Sequence, residues 1–152
     1  MRESVLRGFQ AGLSWWTILS RREAFRELFA NFDPEVVATF DDDDIARLRG
    51  DNRIIRHEGK IRAAIGNAAA TLALGTGGLT RVVWSHQPGT QMRPATGDQI
   101  PSQTTESVAL AKALKAANFT FIGPTTAYAL MQACGLVNDH AMGCAAGDRL
   151  GK

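Results

Sequence analysis

Apolar residues return every three or four positions along most of the chain, the pattern of helices that each bury one face. Val5, Leu6, Phe9 and Leu13 make the first such stripe. Ser14 then stands as an N-cap, and Trp16, Leu19, Phe25, Leu28, Phe29 and Phe32 continue at helical spacing, with Arg21, Arg22, Glu23, Arg26 and Glu27 between them. Asp33-Pro34-Glu35 reads as N-cap, first-turn proline and first-turn acid. Asp41 to Asp44 put negative charge ahead of Ile45 and Leu48, where a helix dipole favours it, and Gly50 closes that short helix. The spacing predicts a longer helix over about residues 54–73, burying Ile54, Ile61, Ile65, Ala68 and Leu72, until Gly75-Thr76-Gly77-Gly78 breaks it.

Between Ser85 and Thr104 the periodicity is lost, and three prolines and two glycines mark a surface loop. A helix is expected near residues 105–117, with Val108, Ala111, Leu114 and Ala117 inward and Lys112 and Lys115 outward. The turn Asn118-Phe119-Thr120-Phe121-Ile122-Gly123 leads into a last helix from about Pro124 to Cys134. The pattern holds no internal repeat and no convincing strand, so the class is all-α, with one domain over residues 1–152.

Composition narrows the function classes. Lysine plus arginine number 17 against 15 acids, a net charge of +2, which excludes a polybasic tail protein and leaves nucleic acid open only if the positive charge gathers on one face. No apolar run is long enough to span a membrane, and the start of the chain does not read as a secretory signal. Two cysteines, Cys134 and Cys144, suit a reducing cytoplasm rather than a disulfide scaffold, and Cys134 reads as a small core residue. Helical periodicity begins almost at Met1, so a segment ahead of it is expected to be missing.

Four clusters carry candidate chemistry. The run from Ile122 to Thr126 starts a helix with a glycine, a proline and two hydroxyls beside its free amides, which suits one phosphate; an ordinary helix corner is the other reading. Gln10-Ala11-Gly12-Leu13-Ser14-Trp15-Trp16 offers two indoles about 100° apart on a helix, so that both do not face the same core and one is available as a stacking platform; two core indoles are the other reading. His140 and Cys144, four residues apart, can share a zinc ion but make only half of a four-ligand set. Arg47, Arg49, Arg53, Arg56, Lys60 and Arg62 either track a phosphate backbone or form a solvated face. Paired carboxylates at glycosidase spacing, a nucleophile elbow and a phosphate-cradling glycine loop are all missing from the sequence.

The segments Gln10 to Trp15, Phe32-Asp33-Pro34, Ile54-Ile55-Arg56-His57, Phe121 to Thr126 and Met131 to His140 resemble, in order, the DNA-3-methyladenine glycosylase I family of helix-hairpin-helix glycosylases. The resemblance implies a monomer that acts on double-stranded alkylated DNA in base excision repair, flipping a 3-methylated purine and hydrolysing its glycosidic bond. It further implies that Trp15 and Gln10 form the base pocket and that Gly12 and Leu13 probe the gap left in the duplex. The hairpin from Ile122 to Thr126, in a helix-hairpin-helix motif near the C-terminus, would anchor the DNA backbone through Ile122, Gly123, Thr125 and Thr126, and His140 and Cys144 would be two of four zinc ligands. The family's remaining zinc ligands, a cysteine and a histidine, and aromatic pocket walls belong to a segment preceding the present Met1. Leu6-Arg7-Gly8 also departs from the family's Leu-Glu-Gly, putting a cation where its relatives hold the base-contacting glutamate. Two functions therefore compete: a glycosylase for 3-methyladenine, and a degenerate relative that binds DNA without cutting.

Overall fold

Ten α-helices follow one another in the computed structural model, which describes residues 1–89 and 91–149. They are α1 (Arg2–Gln10), α2 (Trp15–Leu19), α3 (Arg22–Leu28), α4 (Pro34–Val37), α5 (Asp42–Gly50), α6 (Glu58–Ala73), α7 (Gly78–Trp84), α8 (Thr105–Ala116), α9 (Pro124–Cys134) and α10 (Ala145–Arg149). Single 3-10 turns lie at Ala30–Phe32 and Gly97–Gln99, and there is no strand among the described residues. The all-α class is as expected. Thr90, in the expected 85–104 loop, and residues 150–152 lie outside the described residues.

Local chemistry sets the helix starts. Ser14 accepts from the Thr17 N–H and Asp33 from that of Glu35, ahead of Pro34 at the first helical position. Asp41 and Asp44 make a reciprocal capping box at α5, and Thr104 and Ser107 make another at α8.

Several expected boundaries move, each for a visible reason. α1 ends at Gln10 because Gly12 takes φ +77°, which turns the chain and leaves Leu13 exposed instead of in the first stripe. The next stripe is broken between α2 and α3, so Trp16 points outward at 73% exposure. The long helix starts at Glu58 rather than near residue 54, because His57 caps it through Nδ1, accepting from the Lys60 N–H at 3.3 Å. Ile54 is buried from the preceding loop, and Leu72 is exposed. Cys134 is exposed as well, a correction to its reading as a core residue.

Two apolar clusters hold the helices together. The first gathers Val5, Leu6, Phe9, Phe25, Phe29, Leu48 and Ile61, with the Phe9 and Phe25 rings 4.7 Å apart. Each fully buried phenylalanine contributes roughly 1.5–3 kcal/mol. The second gathers Leu110, Leu114, Phe119, Ile122, Tyr128 and Met131 where α8 packs on α9. α1 packs on both α6 and α9, so its C-terminal end is fixed between the two halves. The candidate site lies at that end.

Candidate base pocket and nucleic-acid interface

A helix end leaves carbonyls without partners, and here a buried cation takes them. The Lys60 ammonium reaches from α6 to donate to the Phe9 carbonyl at 3.0 Å and the Ala11 carbonyl at 2.6 Å. Lys60 is only 9% exposed, and burial pushes its pKa below the ordinary lysine value. Those two contacts tie down the loop from Gln10 to Leu13. Lys60 is thus an internal clamp, not a member of a phosphate-binding track.

Four of the five other residues of that basic stretch are paired with acids, and Arg56 is exposed with no carboxylate partner among the described residues. Arg47 meets Asp44, Arg49 meets Glu58, Arg53 meets Glu27 and Asp51, and Arg62 meets Asp42 and Glu58, all between 2.7 and 3.1 Å. This is a solvated, ion-paired face with little charge left over for DNA.

The connection from α8 to α9 is clamped with equal specificity. Buried Asn67 of α6 accepts from the Thr120 N–H at 2.8 Å and donates to the Thr120 carbonyl at 3.1 Å. Phe119 is buried, whereas Phe121 is half-exposed, sits at φ +56° and lies edge-on to His57. Phe119 therefore pins the turn from inside and Phe121 does not. A non-glycine residue held in the left-handed region stores local strain, which the Asn67 clamp sustains. Gly123 is the N-cap of α9 and offers no side chain to its first amides, leaving them open to a ligand. Its φ is −94° and a Cβ there would meet nothing within 4 Å, so the fold itself does not require glycine at this position.

These two clamped segments wall one cavity of about 220 Å³, lined by Arg7, Gln10, Ala11, Gly12, Leu13, Thr125, Thr126 and Ala129. The structure thus brings five of the sequence-predicted residues, Gln10, Gly12, Leu13, Thr125 and Thr126, to one place, with Arg7 among them. Ile122, in the turn between α8 and α9, is buried. Trp15 borders the site through Arg7, whose Cζ lies 3.8 Å from the centroid of the indole ring. The Arg7 Nη1 donates to Gln10 Oε1 at 3.0 Å, while its Nε is buried without a partner. Desolvation leads the causes that lower the guanidinium pKa from its ordinary value. A cation therefore lies on the face of Trp15.

His140 and Cys144 do come together, with Nδ1 and Sγ 3.6 Å apart. The Gly147 and Ala146 amides, which favour the thiolate, hold the Cys144 thiol below its usual range. Yet no group of three or more His, Cys, Asp or Glu side chains gathers around a common point among the described residues. The residues present do not by themselves fit a four-coordinate zinc ion.

Lys60 and Asn67 escaped sequence reasoning because a lysine in a basic run and an asparagine in an alanine-rich helix carry no local mark of what they face. The His57 cap had a faint signal, a histidine immediately ahead of a glutamate where apolar spacing resumes.

This all-helical fold is shared with solved DNA glycosylases. A crystal structure of 3-methyladenine DNA glycosylase I matches at a TM-score of 0.90 and 47% identity, covering 95% of this chain and 81% of that one. The Staphylococcus aureus 3-methyladenine DNA glycosylase I, solved to show 3-methyladenine recognition, matches at 0.90 and 31% identity, with 96% and 80% covered. Residues 3–147 match the methyladenine glycosylase family, and the chain belongs to it. The Escherichia coli (strain K12) DNA-3-methyladenine glycosylase 1 is 52% identical over 145 residues, 91% of this chain and 76% of that protein. The Haemophilus influenzae DNA-3-methyladenine glycosylase is 43% identical over 144 residues, with 91% and 77% covered.

Proposed function

We propose that the chain is a DNA N-glycosylase that releases 3-methyladenine from alkylated duplex DNA. The observation that carries this reading is the convergence of the Gln10–Leu13 loop and the amino end of α9 on one cavity beside Trp15. The roles divide by element. The open amides of α9 and the hydroxyls of Thr125 and Thr126 hold a backbone phosphate, with Gly123 allowing the strand to approach. Leu13, exposed at the tip of the loop, fills the space that the extruded nucleotide leaves. Trp15 receives the flipped base on its face.

The bond broken is the one between C1′ of the sugar and the base nitrogen. A base methylated at N3 is a cation in DNA and departs as a neutral molecule, taking the bonding electron pair; water adds to C1′ and loses its proton to solvent. No strong general acid is needed. The family comparisons support the chemistry, and the cavity supports the placement.

The second reading, a relative that binds DNA without cutting, is favoured by one observation: the Arg7 guanidinium occupies the Trp15 face and repels a cationic base. Single-turnover release of 3-methyladenine from alkylated duplex decides between them. We expect measurable release by the chain as it stands and loss of both release and duplex binding in Gly123→Glu, with helical content unchanged. Duplex binding without release would select the second reading. Unchanged duplex affinity in Gly123→Glu would remove the hairpin from the interface.

A further inference from the structure

We infer that Asn67 is a positioning residue for DNA binding: from α6 it holds the turn ahead of α9 where the open amides of that helix meet a phosphate. The inference rests on the reading that the amino end of α9 grips the DNA backbone. Backbone groups in a turn need partners of their own. α8 closes with the Phe119 N–H donating to the Leu114 carbonyl at 2.9 Å, and α9 opens with the Ala127 N–H donating to the Gly123 carbonyl at 2.8 Å. Between those two bonds, the only hydrogen bonds that hold the chain among the described residues are the two that Asn67 makes with Thr120, at 2.8 and 3.1 Å. Asn67 is 4% exposed whereas Thr120 is exposed, so the clamp reaches from the core to a surface turn.

That clamp fixes a conformation the turn does not favour by itself. Phe121, next to Thr120, sits at φ +56°, a region that suits glycine or asparagine and disfavours phenylalanine. Its ring rests on the first turn of α6, where a Cβ added to Gly59 would lie 3.4 Å from the Phe121 Cζ. Gly123 and the first amides of α9 follow two residues later. Without Asn67, Phe121 relaxes toward negative φ, and rotation there carries the Gly123 end of the turn with it. The body of α9 stays in place, because it packs on both α8 and α1. The fold therefore survives while the phosphate-facing amides lose their alignment.

The test measures affinity for undamaged duplex by fluorescence anisotropy and release of 3-methyladenine from alkylated duplex, on protein shown to be folded by circular dichroism. Asn67→Ala removes both hydrogen bonds from an alanine-rich helix that favours the new residue. We expect duplex binding to weaken about tenfold, the loss of one charge-assisted contact. The duplex concentration for half-maximal release should rise in step, while the saturated release rate stays within about threefold of the parent. Asn67→Asp keeps the acceptor for the Thr120 N–H but sets a carboxylate against the Thr120 carbonyl. Burial and that carbonyl raise the pKa of the new carboxyl above the ordinary aspartate value, and its protonated form restores the donor. Relative to the parent at the same pH, Asn67→Asp should bind weakly at pH 8 and return to within about threefold at pH 5.5. If one variant does not fold, the other decides.

A merely structural Asn67 would lower Tm and leave the duplex affinity of the folded protein unchanged, which would overturn the inference. So would a fall in saturated release at unchanged affinity, or an Asn67→Asp affinity that does not return at pH 5.5. Unchanged affinity in Asn67→Ala while Gly123→Glu abolishes binding overturns this inference alone; unchanged affinity in Gly123→Glu removes the hairpin reading and this inference with it. Weakened duplex binding in Asn67→Ala, with no release by the parent chain, leaves the inference standing and removes the glycosylase reading.

Discussion

Replacing Lys60 by methionine separates an internal clamp from a DNA contact. Methionine is close to lysine in length, so the change removes the charge and two hydrogen bonds while largely keeping the volume. The ammonium now serves the Phe9 and Ala11 carbonyls at 3.0 and 2.6 Å. Hydrogen bonds from charged donors contribute about 1.5–3 kcal/mol each, and a buried carbonyl left without a partner loses about 1–3 kcal/mol. Two terms work against the full sum. Ala11 is exposed, so water replaces part of its lost bond, and removing the ammonium ends the desolvation that lowers its pKa. A net loss of about 2–4 kcal/mol follows, or about 4–16 °C in Tm for a chain of this size.

Thermal unfolding followed by circular dichroism reads that loss, and duplex titrations at several salt concentrations read the alternative. A phosphate-contacting lysine would leave Tm in place and lower the salt dependence of DNA binding by about one unit of slope. The clamp predicts the opposite for Tm, together with slower base release because the Gln10–Leu13 loop loosens. A Tm within about 2 °C of the parent, with weakened DNA binding of reduced salt dependence, would refute the clamp.

Trp15→Ala should lower release of 3-methyladenine by at least tenfold while changing affinity for undamaged duplex by less than threefold, since stacking of about 1–3 kcal/mol touches only the flipped base; equal losses in both assays would make Trp15 purely a core residue. Arg7→Glu should raise 3-methyladenine release, because like charges at about 4 Å repel by roughly 4 kcal/mol at an effective dielectric of about 20, with a gain approaching a thousandfold only if water is excluded; single-turnover rates at equal folded concentration check it, and no gain would mean that Arg7 does not meet the base. Stability should fall in acid as Asp51 and Glu58 are protonated. Hydrogen bonds from Arg53 and Arg62 respectively hold their carboxyls below the ordinary values of 3.8 and 4.5, so their contribution is present above those values and is lost as pH falls through the lowered ones. Both groups are partly open to solvent, so the effect is modest; Tm measured from pH 5 to 2.5 should fall less steeply in Glu58→Gln, and identical profiles would refute it.

How far the sequence spoke depends on whether a residue's task is set by its neighbours in the chain or by something distant. Caps and helix starts are local, so Ser14, Asp33 and the Asp41–Asp44 run announced themselves. Pro34 and Pro124 did too, since a proline at a first helical position acts on its own turn. The stripe from Val5 to Leu13 failed at its last member because periodicity carries no sign of where a glycine will take positive φ, and Gly12 does so one residue earlier. The expected helix over 54–73 overshot at its start for a similar reason: Ile54 is buried whether or not its backbone is helical, so apolar spacing could not tell loop from turn. Long-range polar contacts were invisible in principle. Lys60 finds its carbonyls 51 and 49 positions away, and Asn67 finds Thr120 53 positions away. Those two side chains tie the Gln10–Leu13 loop and the α8–α9 turn to the same helix, α6. The motifs thus supplied most of the residues that line the cavity, and two polar residues that match no motif hold the segments that carry them. Arg7 joins both kinds: its identity was legible as a reversed charge, but its position on the Trp15 face needed the fold.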